Sequence, residues 1–111
     1  MNLINWEQFD AIELRTGTII RVEEFPKAKK PAYKLWIDFG EFGIKKSSAQ
    51  ITAFYTPENL IGKQIIGVIN FPPKKIADFS SDCLVTGIVD NEGRCVLLQP
   101  ERPVANGLKI S

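Results

Sequence analysis

The chain has 111 residues, 44% of them hydrophobic and 24% charged, which fits one globular domain over residues 1–111 with its own core. Its 14 basic and 13 acidic residues leave a net charge of +1, so the bulk charge neither demands nor excludes a polyanionic ligand. With two cysteines and no histidine, neither a disulfide framework nor a metal site is expected.

The residue types favour binding over catalysis. Histidine, the commonest general acid–base, is absent, and the sequence contains no glycine-rich phosphate loop. The nearest candidate for a nucleophile, Cys83, has no base to activate it. We therefore predict a protein without enzymatic activity and without a cofactor. The N-terminus has no secretory pattern and the chain no apolar run of membrane-spanning length, which predicts a cytoplasmic protein without membrane insertion.

The first predicted elements are a short helix and a long strand. Asn5 and Gln8 have the spacing of a capping box, which predicts a helical turn over residues 5–10. Beyond this turn the apolar period changes to two, which predicts a strand with Ile19 on its polar face and a bend or bulge at Gly17. The residues expected on the opposite face of this strand are Leu14, Thr16, Thr18, Ile20 and Val22.

The middle of the chain predicts two more strands and a helix. Residues 33–39 alternate large apolar with polar side chains as a second strand, and a turn at 40–43 leads to a third. Thr56 as N-cap, Pro57 at the first helical position and Gly62 after the end predict a short helix.

The C-terminal half predicts the remaining strands. The segment KQIIGVINF is apolar on both faces, which indicates a central fourth strand. CLVTGIV and RCVLLQ pair as a hairpin across residues 90–93, whose composition suits a tight turn. This pattern predicts an all-β protein, a five-stranded Greek-key barrel of the oligonucleotide/oligosaccharide-binding (OB) type with short N-terminal and inter-strand helices.

Basic and aromatic residues favour a binding surface on this barrel. Lys34 and Trp36 share one face of the second strand, where a cation beside an aromatic ring suits phosphates and bases or a peptide side chain. The alternative is that Trp36 packs beneath another element or a second subunit. Further lysines belong to segments that lie on the ligand-binding side of an OB topology. They are Lys27, Lys29, Lys30, Lys45, Lys46, Lys74 and Lys75.

Small polar residues accompany these lysines. Ser48 and Gln50 belong to a polar run on the third strand, and Asn70 follows the fourth. The amides of Gln50 and Asn70 suit base edges, ribose or a peptide backbone. The alternative is that these amides satisfy backbone groups where the barrel opens.

Several linked motifs resemble the CsaA family, small homodimeric proteins described as protein-export chaperones within the tRNA-binding domain superfamily. The motifs are KPAYKL, SSAQI, NFPP and the closing PERPVANG, and the resemblance extends from about Phe9 to Gly107. It implies an OB barrel that dimerises through its N- and C-terminal segments. The apolar residues left over for that interface are Leu3, Ile4, Trp6, Leu108 and Ile110.

The resemblance also gives a role to the stretch NFPPKKI. In the family, the segment that matches residues 70–76 leaves a central strand at the mouth of the binding groove. Its two prolines fix φ and remove two backbone donors, so the resemblance implies that Lys74 and Lys75 are held out towards a ligand. One departure is Asp82–Cys83, where tRNA-binding relatives commonly carry a Gly-Met pair. This departure favours the chaperone branch.

Two functions stay open at this point. The first is a non-enzymatic homodimeric chaperone that captures unfolded or export-bound polypeptides, with a protein-translocation component as a further candidate partner. The second is a tRNA-binding or single-stranded RNA-binding protein that uses the same groove. The residues predicted to form the groove are Lys34, Trp36, Lys45, Lys46, Ser48, Gln50, Asn70, Phe71, Lys74, Lys75, Phe79 and Ser81.

Overall fold

The computed structural model describes residues 1–111 and confirms the predicted all-β fold. The helices are α1 (Trp6–Asp10) and α2 (Pro57–Leu60), and a 3-10 turn covers Gly40–Phe42. The strands are β1 (Leu14–Glu24), β2 (Tyr33–Asp38), β3 (Ile44–Ala49), β4 (Gln64–Val68), β5 (Lys74–Ile76), β6 (Phe79–Ser81), β7 (Leu84–Val85), β8 (Gly87–Val89) and β9 (Cys95–Leu97). A five-stranded antiparallel sheet in the order β3-β2-β1-β4-β7 closes almost completely into a barrel, and two hairpins, β5–β6 and β8–β9, are attached to it.

Both helices begin at a capping box. The Asn5 side chain accepts a hydrogen bond from the backbone N–H of Gln8 at 2.9 Å, and the Gln8 side chain accepts one from that of Asn5 at 2.8 Å. Thr56 and Asn59 repeat the arrangement at α2. These pairs satisfy N–H groups that the first helical turn leaves free, so the helix starts are set locally. With five residues at most, neither helix has the length that crossing a lipid bilayer requires.

The side-chain pattern of β1 differs from the predicted one. Ile19 is fully buried and Ile20 is 44% exposed, so the predicted assignment of these two residues to faces was wrong. Gly17 also faces the core, where an added Cβ would come within 2.7 Å of Phe39. The bulge occurs in the pairing with β2 between Ile19 and Arg21, not at Gly17, and it returns Val22 to the core. One extra residue therefore reverses which face of the strand is apolar.

The core is centred on β2, whose predicted alternation is confirmed. Tyr33, Leu35, Ile37 and Phe39 are all buried, and they pack with residues of β1, β4 and α2. The remaining buried members of this cluster are Ile19, Ala49, Ile51, Leu60, Ile65, Cys83 and Leu97. The polar residues that alternate with them in β2 lie on its outer face.

The β5–β6 hairpin lies beside β3 and defines one wall of the candidate site. The backbone N–H of Asp82 donates to the carbonyl of Lys46 at 2.9 Å, and the Asp82 carboxylate accepts from the N–H of Lys46 at 2.6 Å. Ser48 N–H donates to the hydroxyl of Ser81 at 3.3 Å. These bonds hold the segment after β6 along the edge strand of the barrel.

The two ends of the chain meet on another side of the barrel. The backbone N–H of Ile110 donates to the carbonyl of Leu14 at 2.9 Å. The ammonium of Lys109 contacts the carboxylates of Asp10 and Glu13 at 3.0 and 3.1 Å. The C-terminal segment is thus tied to the segment that follows α1.

Candidate functional site

A groove runs between β3, the β1–β2 loop and the β5–β6 hairpin. It consists of two adjoining depressions of about 430 and 380 Å³ that share Ser48 and Ile76. We call them the basic end and the apolar end. The basic end is lined by Lys27, Ala28, Lys29, Lys30, Ala32, Ser48, Gln50, Ile76 and Ala77. The apolar end is lined by Ser47, Ser48, Phe71, Pro72, Lys74, Ile76, Ser81, Cys83 and Leu84.

The positive charge of the basic end comes from the lysines of the loop before β2. Lys27 is paired with the carboxylate of Asp78 on the opposite rim, at 2.9 Å. Lys29 and Lys30 are exposed and form no ion pair, and the same holds for Lys74 at the apolar end. These three ammonium groups are consequently free for an anionic ligand.

The Lys27–Asp78 pair joins the two rims of the basic end. The ammonium of Lys27 lowers the pKa of the Asp78 carboxyl, and that carboxylate raises the pKa of Lys27. Both side chains are largely exposed, at 70% and 56%, so water and salt weaken their attraction. Both groups are charged at neutral pH, so Asp78 competes with any ligand carboxylate or phosphate for the ammonium of Lys27.

The apolar end exposes side chains that the barrel does not cover. Phe71 is 54% exposed and Leu84 49% exposed, and Pro72 lies beside them. Pro72 and Pro73 bring no N–H donor to this corner, so its backbone cannot pair with a further strand. The exposed rings and methyl groups therefore stay available for contact.

The pleat of β5 separates the two lysines that follow the prolines. Lys74 is paired with Ser81 and Ile76 with Phe79, whereas Lys75 is paired with Ser80. Successive side chains of a strand point to opposite faces. Lys74 and Ile76 accordingly line the groove, and Lys75 lies on the outer side of the hairpin.

Phe79 does not line the groove as predicted, because the hairpin buries it. Its ring is 6% exposed and packs edge-to-face against Phe25 and Trp36, with centroid distances of 5.6 and 5.7 Å. The ammonium groups of Lys34 and Lys46 lie over the Phe79 ring at 5.3 and 5.2 Å. Lys34, Trp36 and Lys46, all predicted to line the groove, thus pack beneath the hairpin. For Trp36 this matches the alternative of packing under another element.

Asn70 and Lys45, which were also predicted to line the groove, lie outside it. Asn70 accepts from the N–H of Glu13 at 3.0 Å and donates to the carbonyl of Ala11 at 2.7 Å, so its amide holds the backbone as the alternative proposed. Lys45 is paired with Ile37, a core residue, and so belongs to the opposite face of β3 from Lys46.

The thiol at the apolar end is not suited to nucleophilic chemistry. Burial and the neighbouring Asp82 carboxylate raise the pKa of Cys83 to about 12. The reactive form of cysteine is the thiolate, which is scarce at neutral pH when the pKa is this high. The thiol also donates to the carbonyl of Lys46 at 3.5 Å, so Cys83 acts as a packed wall residue.

The structure brings together five of the predicted residues in the groove: Ser48, Gln50, Phe71, Lys74 and Ser81. It also places in the groove Lys27, Lys29 and Lys30, which the sequence assigned to the ligand-binding side but not to the groove itself, and, among residues not predicted there, Pro72, Ile76 and Leu84. The lysine run before β2 was a visible signal for three of these. For Ile76 and Leu84 no local signal exists, because their position depends on how the hairpin folds back on β3.

A larger depression of about 540 Å³ lies elsewhere on the barrel, but it does not have the character of a binding groove. Val104 is the one hydrophobic residue that lines it. The Gln64 amide within it is bonded to the backbone of Val104 and to the side chain of Asn106. These polar groups are therefore already satisfied.

Most of the residues predicted for an interface are exposed. Leu3 is 92%, Trp6 81% and Ile4 66% exposed, and Leu108 is half exposed. Ile110 is partly buried. Ile4, Trp6 and Phe9 line a shallow apolar depression of about 460 Å³ that also includes Ser111, and we call this surface the terminal face.

A nearly closed five-stranded barrel with this strand order is an OB-type fold, and the lysine-lined groove on β3 is its candidate ligand site. The sequence model of the putative tRNA binding domain matches residues 14–109. Chaperone CsaA from Bacillus anthracis str. Ames is 54% identical, with 99% of this chain and 100% of that chain covered and a TM-score of 0.94. The CsaA chaperone protein from Picrophilus torridus is 47% identical, with 98% and 100% covered and a TM-score of 0.91.

Curated relatives include much longer enzymes. Methionine–tRNA ligase from Methanococcoides burtonii is 35% identical over 109 residues, which cover 98% of this chain and 16% of the ligase. The chain thus spans about one sixth of the length of the curated relatives it matches. This chain belongs to the tRNA-binding domain family and, within it, to the CsaA proteins.

Proposed function

We propose that this protein is a non-enzymatic, cytoplasmic, homodimeric chaperone that captures unfolded or export-bound polypeptides in the groove. The observation that carries the proposal is the exposure of Phe71 and Leu84 beside lysines without ion pairs. Solvent-exposed apolar side chains in a concave site are suited to apolar segments of a client, which folded proteins keep buried. The likeness to two proteins described as CsaA chaperones over nearly their whole length supports it.

The homodimer is part of this proposal. Leu3, Ile4 and Trp6 are exposed near one end of the chain and Leu108 near the other, and full burial of such a side chain contributes about 1.5–3 kcal/mol. A second copy of the chain would cover the terminal face. Light scattering tests this: replacing Leu3 and Trp6 by serine should give monomers, while Ile61→Ser, an exposed position after α2, should leave a dimer. A double variant that stays dimeric would show that the interface lies elsewhere.

Binding of tRNA in the same groove is a second candidate. The match to the tRNA-binding domain family and the free ammonium groups of Lys29, Lys30 and Lys74 favour it. Phosphate contacts of this kind would make the affinity fall steeply with salt, whereas apolar capture of a polypeptide would not. A translocation component remains a proposed partner only through the chaperone function.

The function is tested by suppression of client aggregation, measured beside a gel shift with total tRNA. Phe71→Ser with Leu84→Ser should abolish suppression and leave folding intact. Ile88→Ser, which removes an exposed apolar residue of β8, is the matched control and should behave as wild type. If the groove variant protects clients as well as wild type while tRNA binding is strong and salt-dependent, the protein is an RNA binder.

A further inference from the structure

The two ends of the groove differ in chemistry along its length. The basic end carries Lys29 and Lys30 and no exposed large apolar side chain. The apolar end carries Phe71 and Leu84, with Lys74 as its one charged residue. Ser48 and Ile76 belong to both, so an occupant of one end runs directly into the other.

A single continuous segment that fills the groove therefore meets lysines on one side of Ser48 and apolar side chains on the other. The lysines are not neutralised, since Lys29 and Lys30 have no carboxylate partner and Asp78 is bound to Lys27. Carboxylates of a ligand offer these two ammonium groups the counter-charge that the chain itself does not provide. Covering Phe71 and Leu84 with apolar side chains of the ligand removes apolar surface from water, which favours binding.

We infer that the groove selects extended polypeptide segments in which a run of acidic residues directly adjoins a run of apolar residues. The inference rests on the proposed chaperone function and specifies its client class. It requires the two kinds of residue to be in separate, adjacent blocks. A segment that alternates them would place a carboxylate beside Phe71 and a methyl group beside Lys30.

Fluorescence anisotropy with labelled peptides tests whether the groove requires an acidic block next to an apolar block. The probes are a block peptide of glutamates followed by leucines, an alternating peptide of the same composition, and a block peptide with glutamines in place of the glutamates. The block peptide should bind most tightly. Lys29→Gln with Lys30→Gln should weaken its binding about fivefold, the effect of losing two exposed ion pairs, and should leave binding of the glutamine peptide unchanged.

The matched control is Lys63→Gln with Lys75→Gln, which changes the net charge equally outside the groove and should leave the preference for the block peptide intact. Equal binding of the block and alternating peptides would overturn the inference and leave the chaperone function standing. So would an equal loss for the glutamate and glutamine peptides in the Lys29/Lys30 variant. If no peptide binds while total tRNA does, the chaperone function itself fails, and the inference with it.

Discussion

Lys74 and Lys75 are adjacent in the chain but occupy opposite faces of β5. Lys74 is paired with Ser81 and lines the groove, while Lys75 is paired with Ser80 on the outer side of the hairpin. Both are exposed and neither forms an ion pair. The chain thus contains its own matched pair of lysines for testing which face binds.

Lys74→Ala should weaken ligand binding, and Lys75→Ala should not. For RNA, the first change should reduce the slope of log affinity against log salt by about one phosphate contact, and the second should leave it unchanged. Both should keep the free energy of unfolding within about 0.5 kcal/mol, as exposed substitutions usually do. Titrations at several salt concentrations, paired with denaturant melts, check this. Equal losses from the two variants would argue for a general charge effect.

Asp78→Asn should strengthen binding of an acidic peptide about two- to fivefold, because it frees Lys27 from an exposed ion pair. The comparison is Glu58→Gln, which removes the same charge from an exposed carboxylate at α2. Isothermal titration with one peptide measures both. A gain of the same size from Glu58→Gln would mean that net charge, not release of Lys27, causes the effect.

Gly17→Ala should destabilise the barrel by about 1–3 kcal/mol, the usual cost of overpacking a core. A Cβ at this position would lie 2.7 Å from both Ile37 and the ring of Phe39. Chemical unfolding measures the change. In a Phe39→Leu background, Gly17→Ala should destabilise the protein less, because the effects of substitutions at two contacting residues do not simply add. A Gly17→Ala protein as stable as wild type would contradict the packing described for β1.

Glu13→Gln should lower the melting temperature at neutral pH, and the difference should shrink in acid. Hydrogen bonds from Arg15 and Lys109 hold the pKa of Glu13 below its ordinary value of 4.5. A carboxyl whose pKa is lower in the folded state stabilises that state at any pH above its pKa in the unfolded chain. This stabilisation is lost as the pH falls through the lower pKa of the folded state. Thermal melts across the acidic range check it. A constant difference at every pH would indicate that the charge of Glu13 is not involved.

Features with a strong local cause were predictable from the sequence. The capping box at Asn5 and the N-cap at Thr56 need only residues up to three positions apart, and β2 repeats large apolar residues at a period of two that continues to Phe39 just after it. In β1 the neighbours Ile19 and Ile20 fit either face equally well. The bulge in the pairing with β2 decides between them, and that pairing is not a local property.

The groove was predictable in composition but not in geometry. Serines, lysines and prolines near β3 and β5 indicated a polar binding surface. Which of Lys74 and Lys75 faces it depends on the pairing of two three-residue strands, which no sequence period reveals. Phe79 was predicted to line the groove but is buried beneath the hairpin, which hydrogen bonds of Asp82 hold against β3.

The location of polypeptide binding is measured most directly by NMR, with a permanently unfolded polypeptide added to the isotopically labelled protein. Changes in backbone amide shifts should concentrate along the groove, at Ser48, Gln50, Ile76, Ser81 and Leu84. The terminal face, with Trp6, and the β8–β9 hairpin should change little. Shifts confined to either of those surfaces, with the groove amides unmoved, would contradict capture of polypeptides in the groove.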